Sequence, residues 1–289
     1  MSMRRTLVLG AAVTALTLLG CGLGGADVDG DLADDWPALP QAQAFVPEKG
    51  CHALALEKNA NREQAELVDC TTAHLSETIF VGQLSGAVAG VQDAPLATNG
   101  GLAPAYAECA GRANEAMGGP WLDFRLDLRL VLPTAAAWRG GSRWYACVLV
   151  EDKAIEDGTP KERTAPVSRT TVPRLGCFAG TGSGDVYLRE TACTAAHNAE
   201  YAGSFVATAA TAPLSTSEWD ALHAKCRGIV ASYLGTSIDR AKAKYGNIAG
   251  TVSDNWAAGE RGVRCYLWLR NTKVSYSARY KGSTVPRYS

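Results

Sequence analysis

The residues that could do chemistry come in two matching sets. Cys70-Thr71-Thr72-Ala73-His74-Leu75-Ser76-Glu77 returns as Cys193-Thr194-Ala195-Ala196-His197-Asn198-Ala199-Glu200, identical at five of eight positions. A histidine and a carboxylate three residues apart could act as metal ligands or as an acid/base pair. Against this, a strand places positions i and i+3 on opposite faces, so the two groups would not converge. No third ligand stands at a fixed spacing in either set, and His52 and His223 have no counterparts. The favoured reading is structural: a histidine at a strand start that bonds backbone groups and fixes the turn after a disulfide. The sequence therefore implies no metal and no cofactor.

A second pair of motifs has the form W-x-x-G-x-R. Trp138 to Arg143 leads to Cys147, and Trp256 to Arg261 leads to Cys265, each tryptophan nine residues before its cysteine. Ring faces and guanidinium forks can bind sugars or carboxylates. The simpler reading is a turn packed under tryptophan, with glycine supplying an unusual backbone angle. Gly180-Thr181-Gly182-Ser183-Gly184 looks like a phosphate loop, but no lysine follows and no helix opens, so it reads as a hairpin turn. Neither G-x-S-x-G nor H-E-x-x-H occurs, and no catalytic constellation is found.

Self-similarity at a fixed spacing points to a duplicated unit. The first copy spans residues 45–150 and the second 172–289. Residues 151–171, rich in charge and turn residues with no apolar face, read as the linker. Each copy opens with a cysteine on a strand (Cys51, Cys177), followed by a second strand ending at Cys70 or Cys193 and a third after the histidine. A helix follows in each. Ser215 and Glu218 form a capping box ahead of Trp219, Leu222, Cys226, Ile229, Val230 and Tyr233, and Gly235 closes that helix. Leu102, Ala105, Cys109, Ala113 and Met117 with Gly118 form its counterpart. The mid-helix glycines Gly111 and Gly228 suggest close approach of helix to sheet, since glycine there costs up to about 1 kcal/mol. The predicted class is α+β: a tandem duplication of a small disulfide-stapled module, an antiparallel sheet with one packed helix per copy.

Of nine cysteines, eight divide evenly between the copies, as in the disulfide framework of an exported chain. Four cysteines per copy allow three pairings. Pairing within copies is simplest, and the expected bridges are Cys51–Cys70, Cys109–Cys147, Cys177–Cys193 and Cys226–Cys265. The ninth, Cys21, lies behind a charged n-region (Arg4, Arg5) and a short apolar stretch in residues 1–20, the pattern of an export signal. Leu18-Leu19-Gly20-Cys21 resembles the lipobox of bacterial lipoproteins, which implies cleavage before Cys21, its acylation, and anchoring to the cell membrane on the extracytoplasmic side. Residues 21–44, with five aspartates, read as an acidic tether. Losing residues 1–20 lowers the basic count from 28 to 26 against 29 acids, a net charge of −3. That balance argues against nucleic acid as a partner.

The ordered set of features is similar to the septum-formation domain of exported and membrane-anchored actinobacterial proteins, here in tandem. Those features are a cysteine, Cys-x-x-x-His-x-x-Glu, a helical cysteine, and W-x-x-G-x-R before a last cysteine. Members of that family often carry proline where Ala73 and Ala196 stand. The resemblance implies a place in the cell envelope near division and brings no activity with it. The expected function is a non-catalytic binding or structural module whose partner is an envelope protein or cell-wall component. An envelope hydrolase using the His/Glu pairs, or a solute-binding lipoprotein holding a ligand between its halves, is the alternative. The two-lobed α/β pattern usual for the latter is missing.

Overall fold

Two five-stranded sheets carry the described chain, which in this computed structural model comprises residues 45–155, 158–182, 186–250 and 252–287. The first sheet holds β1 (Gly50–His52), β2 (Asn59–Ala60), β3 (Ser76–Gln83), β4 (Leu126–Pro133) and β5 (Trp144–Glu151), in the order β1-β3-β5-β4-β2. The second holds β6 (Cys177–Thr181), β7 (Tyr187–Thr191), β8 (Ala199–Val206), β9 (Gly246–Ala249) and β10 (Gly262–Trp268), in the order β7-β6-β8-β10-β9. All pairings are antiparallel except β2 with β4. The run β1-β3-β5-β4 thus has the same connectivity as β6-β8-β10-β9. The fifth strand differs: β2 lies beyond β4, whereas β7 pairs with β6 as a hairpin.

The central strand β5 is buried along its whole length. Tyr145, Cys147 and Leu149 join the main core on one face, and Trp144, Ala146, Val148 and Val150 pack with Leu56 and Ala60 on the other. A strand covered on both faces reads as a continuous apolar run, with no polar alternation. The main core is covered by the helix α1 (Ala103–Met117), which buries Ala105, Tyr106, Cys109, Ala113 and Met117. A short α2 (Ala135–Arg139) precedes β5. In the second half α3 (Thr216–Leu234) starts at the Ser215/Glu218 capping box, and α4 (Ile238–Lys244) follows it. Each half therefore carries a second, short helix beyond the single one expected. Gly118 and Gly235 end α1 and α3 at φ of 63° and 66°, a left-handed cap that glycine adopts without Cβ strain.

Disulfides join Cys51 to Cys70, Cys109 to Cys147, Cys177 to Cys193 and Cys226 to Cys265. The second and fourth staple α1 to β5 and α3 to β10. Closing loops of 38 and 39 residues stabilises each half by about 4 kcal/mol through lost unfolded-state entropy.

Three expectations need correction. A Cβ added at Gly111 or Gly228 would meet nothing within 4 Å, so these glycines mark the open side of each helix and not its contact with the sheet. The second strand expected up to Cys70 is only one bridge, Cys51 to Val68, because residues 62–65 form a turn. Residues 151–171 do join the halves, but as packed chain, with Ile155, Arg163 and Val167 buried. The signal, Cys21 and the tether lie outside the described residues. Among the described residues no helix is long and apolar enough to cross a membrane.

Candidate functional site

Both histidines lie just before a strand, and their backbones are tied to a segment that comes after the last strand of each half. His74 and Arg163 exchange two backbone hydrogen bonds of 2.9 Å, and His197 and Val274 exchange the same two at 2.9 Å. Four residues further along each segment, a backbone N–H meets the glutamate of the motif. Val167 N donates to Glu77 Oε2 at 2.7 Å, and Ala278 N donates to Glu200 Oε1 at 2.7 Å. The imidazoles match too: Nδ1 donates to the Thr72 carbonyl in one half and the Ala195 carbonyl in the other, both at 2.8 Å. Each motif is a clasp that closes a strap across the start of β3 or β8.

The two clasps differ at the second ring nitrogen. His197 Nε2 lies 3.0 Å from Glu200 Oε1, and both side chains are buried. The argument that positions i and i+3 diverge therefore fails here, because a bend at Asn198 separates His197 from β8 and only Glu200 is in the strand. Glu200 also accepts from Tyr233 at 2.5 Å and Ser277 at 3.0 Å. Burial, with the bond to Glu200, pushes the Tyr233 hydroxyl well above its ordinary range. In the first half Glu77 is only half-buried, and His74 Nε2 is buried with no hydrogen-bond partner.

Cys51, His74 and Glu77, like Cys177, His197 and Glu200, bring potential ligand atoms within 4.8 Å of one another. Both sulfurs are in disulfides, and metal binding needs the thiolate. As folded, each set offers a metal one histidine and one carboxylate. His52, which the sequence left unpaired, lies beneath the first clasp, with Nε2 2.7 Å from Thr78 Oγ1. Burial lowers its pKa.

The tryptophan motifs are equally committed. Trp138 Nε1 donates to the Val91 carbonyl and Trp256 Nε1 to that of Ala209, both at 3.0 Å and both 47 residues back. Both rings are buried. Arg143 stacks 4.0 Å above Trp138 and donates to the carbonyls of Ala89 and Trp138 at 2.7 Å. Arg261 donates to the Trp256 carbonyl at 3.0 Å. Rings and guanidinium groups that could hold a sugar or carboxylate are used to pin long loops.

What sequence reasoning missed is Glu151, at the end of β5. Fully buried, it pairs with Arg125 at 2.7 Å, Lys161 at 2.8 Å and Arg163. Burial acts to raise its pKa, but the bonds from Lys161 and Arg125 and the charge of Arg163 prevail, so the carboxyl lies below its ordinary value. The only available signal was a lone acid ending an apolar run. The halves also meet directly: Arg264 on β10 donates to the carbonyls of Leu122, Phe124 and Leu126, and Tyr201 donates to Asp123 at 2.8 Å.

Searches of curated proteins and of solved structures return no match to the chain. The family model described as septum formation matches residues 50–265 as one continuous stretch. That stretch runs through both sheets and ends at the cysteine of the last disulfide. It covers well over half of the sequence, and the chain belongs to the septum-formation family.

Proposed function

We propose that this is an exported lipoprotein, held on the outer face of the cell membrane by an acylated Cys21. Its folded body would be a non-catalytic binding or structural module serving the cell wall or division machinery. The body is read as an internal duplication, since strand order, clasps, helix staples and tryptophan anchors correspond between halves. Membership of the septum-formation family supports an envelope role. The observation that carries the non-catalytic reading is that both His-x-x-Glu motifs bond to the chain's own straps.

The test is complementation of a deletion strain, scored for septation and for membrane fractionation. Cys21→Ser is expected to leave the membrane fraction and to complement poorly. Glu77→Gln, a mild change at a half-buried clasp, should complement in proportion to the folded protein present. A folded Glu77→Gln variant at normal abundance that loses all function would point to catalysis and sink this reading.

A further inference from the structure

A polar cleft lies where the first sheet and α1 meet the turn before β10. It has two lobes of about 280 and 230 Å³, which share Tyr106, Asp127, Ser253 and Glu260 as walls. Together they approach the size of small-ligand sites. Tyr106 is 5% exposed, yet its hydroxyl has no hydrogen-bond partner. Tyr106 lines both lobes, alongside Glu260 and Asp127. Asn255 Nδ2 donates to Glu260 Oε2 at 3.1 Å, which fixes the amide, and Asn255 Oδ1 is left buried without a donor. A flip would set oxygen against carboxylate, so the network assigns this orientation.

Buried polar atoms without partners are rare and costly, and two in one cleft call for a missing partner. Asn255 lacks a donor, and the Tyr106 hydroxyl lacks a partner of either kind. Asn255 Oδ1 can only accept. Asp127 is neutralised by Arg129 at 2.7 Å, whereas no ion pair reaches Glu260 among the described residues. Burial and the nearby Asp127 raise the Glu260 carboxyl above its ordinary value, a load that a cation would relieve.

We propose that this cleft binds a small solute carrying a protonated amine beside hydroxyl or amide groups. Glu260 pairs with the amine, Asn255 Oδ1 accepts a second donor, and Tyr106 bonds a hydroxyl or carbonyl. The inference rests on the reading of the body as a binding module and names what it binds.

The test is calorimetric titration of full-length protein in detergent with glucosamine, galactosamine and ethanolamine, each beside its N-acetylated counterpart. At least one amine should bind, about tenfold or more tightly than its acetylated form. Tyr106→Phe, which removes a hydroxyl with nothing to lose in the free protein, should keep or raise the melting temperature while weakening binding about tenfold. Glu260→Gln should abolish the preference for the amine. Three outcomes would each overturn the proposal: no amine binds, acetylated forms bind as well, or Tyr106→Phe binds like the parent. Membrane fractionation of the same preparation reports separately on anchoring, so failure of one reading is not failure of the other.

Discussion

The two straps share a backbone geometry and differ in what holds them. Four residues after the central-strand cysteine, the first half has Glu151 and the second has Leu269, both buried. Around Glu151 the strap is held by charge, with Arg163 and Lys161 reaching back from it. Around Leu269 it is held by apolar packing with Val274, Ala278 and Val285, and Tyr245 donates to the carbonyls of Gly282 and Val285. The clasp thus specifies where a strap lies, and side chains of opposite character can fasten it. A buried ionic hub is not worth more than a well-packed core, but it fails harder when one member is removed.

That contrast can be broken most forcefully at the hub. Glu151→Gln leaves three cations around an uncharged amide and should cost about 3–5 kcal/mol, read as a lower midpoint in urea unfolding. The clasps should rank next. Glu200→Gln strips a carboxylate of bonds from Tyr233, Ser277 and Ala278 and should cost about 3 kcal/mol, whereas Glu77→Gln, half-buried and holding one backbone N–H, should cost about 1 kcal/mol. Equal losses would mean that the two clasps contribute alike despite their different surroundings.

Acid should separate the halves as well. The Glu151 carboxyl is lowered in the folded state, so its contribution is fully present above the unfolded value of about 4.3 and is lost as pH falls below it. Stability measured from pH 6 to pH 3 should drop more steeply for the parent than for Glu151→Gln. The smallest effect should be shared: Gly111→Ala and Gly228→Ala each add a methyl that meets nothing and should stabilise by about 0.5–1 kcal/mol. A loss at either would show that its helix face is engaged.

Where local chemistry decides structure, the sequence was readable. Ser215, Glu218, Gly118 and Gly235 marked helix ends through capping, and a complete set of four cysteines in each half pointed to bridges within halves. The straps were not readable. Residues 158–167 and 270–278 lack periodicity and hold their place by backbone bonds to His74 and His197, which leave no side-chain signature. For the same reason 151–171 looked like a bare linker. The convergence of His197 and Glu200 was missed because the strand rule was applied across a bend. The mid-helix glycines misled because the cost of glycine says that something is unusual, not on which side.

The short 3-10 turn Trp256–Ala258 belongs by sequence to the second half, yet Ala258 sits in the same core cluster as Leu102, Tyr106 and Met117 of the first. Next to it Gly259, at φ 107°, leaves a Cβ position only 3.1 Å from Ala103 Cα, so α1 and this turn touch backbone to backbone. A fragment ending at residue 171 would keep its sheet, strap and two disulfides and still open a wound over α1. Neither half is a portable part. The turn that plugs the core over α1 makes the pair, and not the half, the unit that folds.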